Sequence, residues 1–239
     1  RKNEILEILK NRDFLNEDIS KNLEDAQTLQ VLEDIYSPFK DKKSSRTLKA
    51  IENGLEPLAN IIQSMRYTLL ECEDKAKKFL NKEITTITDA IAGAKDIIAQ
   101  RYADDFKSKE ILRNLIQNWG ILEIKEGKEF DKNGLYINFA NTKEKIKYIK
   151  SHRVLAILRA EKEKQLSIKV EIDENYILEN IKQYKIPKSA LDSKELVFEA
   201  YKDGLKRLVL PSLKTEAISS LKDKAQKEAI ELFGKNLKE

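Results

Sequence analysis

The chain has 239 residues, with 45 Lys and Arg against 41 Asp and Glu and a formal net charge of +4, too mild for a polycationic tail. Seven glycines and four prolines are well below average usage, which disfavours turn-rich sandwiches and barrels, and one Cys with one His excludes disulfide frameworks, most metal cages and Cys–His catalysis. What remains is a highly charged, mostly helical chain, long enough to hold its core without a metal or a disulfide.

Helical spacing begins at once, with Ile5, Ile8 and Leu9 on one face. Asn16 is a candidate cap for a second helix carrying Ile19 and Leu23, and Leu29, Leu32, Ile35 and Tyr36 mark a third that must stop near Ser37, before Pro38. Ser44 or Ser45 caps a fourth, ended by Gly54. Leu58, Ile61 and Ile62 give a fifth, Ala76, Phe79 and Leu80 a sixth. Thr88 is the expected cap of a seventh through Ala90, Ile91, Ala94 and Ile98, and Ser108 precedes an eighth from Ile111 to Trp119.

After Gly120 the texture changes. Ile121 to Ile124 and Leu135 to Phe139 look like strands, and Asn141 with Glu144 resembles a capping box that starts a helix. A further helix runs from Ser151 to about Lys164, and Leu166, Ile168, Val170 and Ile172 alternate as a half-buried strand does. Tyr176, Ile177 and Ile181 form one helix. Asp192 and Glu195 open another, and Pro211 disfavours helix at Leu210 while suiting the first turn of a new one. From there Leu213, Ala217, Leu221, Ala225, Ala229 and Leu232 line one face of a long helix, a strut toward further chain. The fold expected is mainly α: many short helices, a small antiparallel β insertion and a long C-terminal helix. Its regions are residues 1–120, 121–172 and 173–239. Both ends read as cut from a longer protein, and the lone Cys72 fits the cytoplasm. No run approaches the roughly 20 apolar residues of a membrane span.

The search for chemistry finds no phosphate loop, nucleophile elbow or zinc motif. His152 is expected to satisfy backbone groups at a helix start, Glu33–Asp34 and Asp104–Asp105 to be solvated surface, and Tyr102 and Trp119 to be core. The cations are the better lead. Residues 40–49 carry five basic groups and one acid, and residues 143–159 six and one, whereas residues 1–39 carry five basic groups against nine acids. Such asymmetry suits a polyanion, and with Phe39 and Tyr148 the only nearby aromatics, it suits backbone contact without sequence readout. The candidates for phosphate are Lys40, Lys42, Lys43 and Arg46, followed by Lys150 and Arg153. A helix-turn-helix-like element is open at Ile19 to Leu32 or at Ser45 to Ile62. The bland reading of the same lysines is a solvated face.

Leu32-Glu33-Asp34-Ile35-Tyr36-Ser37-Pro38-Phe39-Lys40, with Arg46-Thr47 and Gly54-Leu55-Glu56-Pro57-Leu58-Ala59, resembles the Tex family of bacterial transcription accessory proteins. The resemblance continues, in family order, through Ala90 to Ala99, Ser151 to Lys162, Leu210 to Leu213 and Glu228 to Phe233. It is poor between Gly120 and Ile149, and this chain has Phe39 where the family usually has Tyr, and Lys42, Lys43 and Ser44 where Arg is commoner. The resemblance implies a cytoplasmic, non-enzymatic nucleic-acid-binding factor without a cofactor. Its N-terminal helical region would be followed by RNase-H-like, helix-hairpin-helix and OB-fold RNA-binding domains. The partners implied are RNA or DNA and the transcription machinery, RNA polymerase included. A protein–protein docking module is the alternative.

Overall fold

A computed structural model describes residues 1–26, 28–39 and 46–236. The chain forms two compact units, one of residues 1–109 and 181–209, the other of residues 110–180 and 210–239.

The first unit opens with α1 (Lys2–Asn11), α2 (Glu17–Asp25) and α3 (Leu29–Tyr36). Asn16 caps α2 as expected, its side chain accepting from Ile19 N at 2.8 Å, and Thr28 caps α3. The apolar faces close on Ile5, Leu9, Leu23, Leu32, Ile35 and Tyr36, and Pro38 ends α3 in a 3-10 turn, Ser37–Phe39. The caps expected at Ser44 or Ser45 lie outside the described residues. Next come α4 (Arg46–Glu52), α5 (Glu56–Gln63), α6 (Leu69–Ala76), α7 (Ile87–Asp104) and α8 (Phe106–Trp119). Gly54, at φ +73°, turns the chain between α4 and α5 in a left-handed conformation that costs glycine nothing. Thr68 and Glu71 form a full capping box on α6, and α7 is capped by Thr86 rather than Thr88, with Thr86 Oγ1 accepting from Asp89 N.

Helix α7 is the spine of this unit. Ala90, Ala94, Ala99 and Ala103 are buried along it, and α4, α5 and α11 (Lys194–Asp203) pack on it. A methyl on Gly93 would stand 2.4 Å from Leu55 Cδ1, so Leu55 would have to shift, and a methyl on Gly204 would stand 2.6 Å from the Ala99 carbonyl oxygen. Tyr102 is buried as expected, its ring centroid 4.9 Å from that of Tyr201.

The acidic pairs are not the solvated surface that spacing implied. Asp34 meets Lys109 at 3.0 Å with their side chains 7% and 11% exposed, and Glu33 pairs with Arg1 at 2.6 Å. Asp104 accepts from Gln100 at 3.1 Å, and Asp105 accepts from Lys185 and Ser108. In each case an acid that looks free in sequence is met by a donor, three of them far along the chain.

The second unit is a three-stranded antiparallel sheet in the order β2–β1–β3, with helices on it. The strands are β1 (Ile121–Glu126), β2 (Thr142–Lys145) and β3 (Leu166–Glu171). Leu122 faces Glu144 on one side and Val170 on the other. Helix α9 (Ser151–Lys162) packs on β3 and on α12 (Leu210–Asn236), burying Val154, Ile157 and Ala160. Between them in the chain, α10 spans Glu174–Lys185. Arg113 reaches Glu216 with two hydrogen bonds of 2.5 and 3.2 Å and ties α8 to α12 within this unit.

Two expectations fail here. The helix proposed to start at Asn141 is strand β2, because Asn141 adopts φ +58° and Glu144 turns to Arg153 instead of back to the chain. The segment Leu135 to Phe139 forms turns rather than a strand, and Leu135 is 89% exposed. The opening cap of α11 differs as well: Ser193, not Asp192, holds the N-cap position, without a side-chain bond. Pro211 falls in the first turn of α12 as expected, after π-helical turns at Gly204–Val209.

Two measurements check this packing. Gly204→Ala should lower stability by roughly 1–3 kcal/mol through overpacking against Ala99, while Gly234→Ala, in open space on α12, should be neutral or stabilising by up to about 1 kcal/mol in urea titrations. Burial by itself raises the Asp105 carboxyl, but hydrogen bonds from Lys185 and Ser108 outweigh it and hold the group below the ordinary carboxylate value. With the folded value depressed, this stabilisation is full above an unfolded pKa of about 4 and fades as pH falls through the lower folded value. Lys185→Met should move that acid loss to higher pH, read as the urea midpoint against pH.

Candidate nucleic-acid interface

Of the first basic stretch, Lys40, Lys42 and Lys43 lie outside the described residues, and Arg46 opens α4. Thr47 and Ala50 are buried, with Thr47 Oγ1 donating to the Asp96 carbonyl at 3.3 Å, so this face of α4 is fixed on α7. Arg46 and Lys49, three residues apart, are both exposed, and neither forms an ion pair among the described residues. Arg46 is not electrostatically idle. Burial raises the Asp96 carboxyl, and the charges of Arg207 and Arg46 pull it back down.

The second stretch, in the other unit, is partly consumed by its neighbours. Lys143 on β2 bridges Glu123 and Glu171 at 3.0 and 3.1 Å, and Lys125 also meets Glu123 at 3.0 Å. Those two ammonium groups hold the Glu123 carboxyl below its usual range. Arg153 clasps Glu144 through two nitrogens, at 2.9 and 2.5 Å, and its guanidinium lies 4.8 Å from the centroid of the Phe139 ring. A cation held this way orders β2 against α9 and has little charge left for a ligand.

Lys145, Lys147, Lys150 and Arg159 are exposed and form no ion pair among the described residues. Lys147 stands 5.8 Å from the centroid of its neighbour Tyr148. Lys147, Tyr148, Lys150 and His152 border a cleft of about 700 Å³ between α9 and α12, whose other wall carries Lys224, Glu228, Glu231 and Lys235. Ser151 donates to Glu228, which is also 4.0 Å from Lys224. The structure therefore brings Lys150 to Lys224 and Lys235, two residues the linear charge count passed over. The signal available was the long periodicity of α12, which places residues 224, 228, 231 and 235 on adjoining turns.

Two single-residue expectations are corrected. His152 is exposed on the first turn of α9 and makes no hydrogen bond among the described residues, so it does not satisfy the backbone there. Trp119 is 61% exposed instead of core, meeting the Tyr176 ring edge-on at 5.9 Å, because it is the last residue of α8, with β1 starting two residues on at Ile121. Among the described residues no cluster of His, Cys, Asp or Glu is arranged to hold a metal ion, and no helix is long and apolar enough to cross a membrane.

Residues 68–233 match the family described as Tex central region-like. The whole chain aligns with YdcI of Bacillus subtilis at 30% identity over 242 residues, covering 34% of that protein. It aligns with the Transcriptional accessory protein Tex of Neisseria gonorrhoeae at 28% over 246 residues, again with 100% of the chain and 32% of the relative. The human S1 RNA-binding domain-containing protein 1 is 26% identical over 255 residues, which cover 97% of the chain and 24% of that protein. The chain thus spans about a third of the length of its curated bacterial relatives. A family match over more than half of the chain agrees with the residue blocks that first pointed this way: the chain belongs to the Tex family.

Proposed function

We propose that this chain is a non-enzymatic, nucleic-acid-binding scaffold region of a transcription accessory protein. It contacts the phosphate backbone and does not read sequence strongly. The observation that carries the reading is the pairing pattern of the cations. Arg46 and Lys49 stand on the open side of α4 without an ion pair among the described residues, immediately after Lys40, Lys42 and Lys43 in the chain. A run of five basic residues against the single acid Asp41 is the kind of local charge excess that releases counterions from a polyanion. The relatives' names, one a transcriptional accessory protein and one an S1 RNA-binding domain-containing protein, support the same class of partner. Lys150 contributes as a secondary point charge. Arg153 acts as a positioning residue, since Glu144 already answers its charge.

Salt dependence tests this. Binding of the chain to single-stranded RNA and DNA, followed by anisotropy across salt concentrations, should give a linear log–log plot with a slope of several units. Changing Lys40, Lys42, Lys43 and Arg46 together to Ala should flatten it by about 3 units, at roughly 0.7 per contact, and Lys150→Ala by less than about 1. Arg153→Ala should leave the slope unchanged while lowering the thermal midpoint. Absence of binding at low salt, or a slope indifferent to the quadruple change, overturns the proposal.

A further inference from the structure

The apolar stripe of α12 outlasts its cover. Leu213 and Ala225 on that stripe are buried, yet Ala229 is exposed and Leu232 is 62% exposed, although both continue the same spacing. Ile230 and Phe233 beside them are 72% and 65% exposed, so four apolar residues between 229 and 233 make a concentrated exposed surface. Single exposed apolar residues are ordinary, but a contiguous group on one helix is the mark of a protein contact.

This surface adjoins the cleft of about 700 Å³ already described. Its floor is apolar, built from Ile149 and Leu155 on one side and Ala225, Ala229 and Leu232 on the other. Its rim carries Lys147, Lys150, Lys224 and Lys235 against Glu228 and Glu231. Glu228 is occupied by Ser151 and Lys224, which leaves the rim predominantly cationic. Two helices, α9 and α12, thus form a trough that no third helix covers among the described residues, over about 16 Å from Lys224 to Lys235 at 1.5 Å per residue.

We infer that this trough docks an acidic amphipathic helix of a protein partner, with apolar side chains at i, i+3 or i+4 and i+7 on the floor and carboxylates against the rim lysines. The geometry is that of helix-in-groove recognition, and the rim charge selects an acidic partner over a basic one. An unpaired nucleic-acid strand would meet the same lysines. However, the cleft itself offers only the Tyr148 and His152 rings among its described lining for stacking, while the aliphatic stripe of α12 would remain uncovered. The inference goes beyond the proposed phosphate contacts and does not depend on those at Arg46.

The test uses the 239-residue chain and a fluorescein-labelled synthetic 18-residue helix with Leu at one face and Glu flanking it. A scrambled peptide of the same composition and a uridine 15-mer are the comparisons. The amphipathic peptide should bind, and the scrambled one should bind at least tenfold more weakly. Leu232→Ser, at an exposed position where circular dichroism should confirm an intact fold, should weaken the peptide roughly tenfold, as expected when a buried Leu contact is lost. Lys150→Glu with Lys235→Glu should weaken the peptide and remove its salt dependence. Equal binding of the scrambled peptide, or no peptide binding at 1 mM, overturns the inference. So does a peptide affinity indifferent to Leu232. If the uridine 15-mer alone binds, and loses affinity in the Lys150/Lys235 variant, the trough is a nucleic-acid surface instead. A salt slope indifferent to the quadruple change at Lys40, Lys42, Lys43 and Arg46, with peptide docking retained, would reject the proposed function and leave this inference standing.

Discussion

Close approach to α7 is the constraint on which the first unit is built. A helix that carries Gly93 and buried alanines at 90, 94, 99 and 103 lets its neighbours come nearer than Leu- or Ile-lined helices allow. Leu55 fills the space at Gly93, and Gly204 sets its backbone against that of Ala99. The result reaches the surface. Because Thr47 and Ala50 are pressed onto α7, the turn of α4 that begins with Arg46 has one orientation only, and Arg46 and Lys49 face away from the core. Small residues in the interior thereby decide which cations are presented outside.

Presentation, and not the number of charges, separates the two basic stretches. In the second, β2 is an edge strand whose exposed flank would invite other strands, and charged residues on such an edge oppose that pairing. Lys143 and Arg153 are used up in this internal arrangement, one across three strands and one between β2 and α9. Two guanidinium nitrogens converging on one Glu144 oxygen fix geometry as well as charge, so Arg153 suits the task of joining a strand to a helix. Lys147 and Lys150, on the connection from β2 to α9, escape because no carboxylate of β1 or β3 lies opposite them.

Much of the helical layout was legible from residue spacing. Apolar periodicity located α1 to α3, Asn16 announced its cap, and Pro38 and Gly54 marked turns, since all of these are local consequences of backbone geometry. What failed was decided at a distance. Thr142-Lys143-Glu144-Lys145 carries no apolar alternation, so nothing local reveals a strand; it becomes one by pairing with β1. Leu135, Ile137 and Phe139 do alternate, yet no strand of the sheet pairs with them. Asp34 appeared solvated because its partner Lys109 is 75 residues away, and a comparable distance along the chain hid the placing of Lys150 on one cleft with Lys224 and Lys235. At α7, two threonines competed for one cap, and Thr86 won because its hydroxyl reaches the Asp89 N–H.

The long helix α12 shows why family membership alone would not locate a site in this chain. Its first half behaves as core, burying Leu213 and fixing Glu216 to Arg113, and this explains a stripe of apolar residues without any functional claim. Its second half keeps the stripe, and among the described residues nothing packs over Ala229, Ile230, Leu232 and Phe233. The same half brings in Lys224 and Lys235 opposite Lys147 and Lys150, so apolar floor and cationic rim arise from one helix at two angular positions. The family match, at residues 68–233, includes this surface apart from Lys235 and leaves out the Lys40 to Arg46 stretch, which the pairwise relatives do cover. The two surfaces therefore rest on different physical grounds: unmatched charge on α4, and unmatched hydrophobicity framed by charge on α12. An agent that screens one, such as added salt, should leave most of the other in place, because burial of apolar area is not weakened by ionic strength.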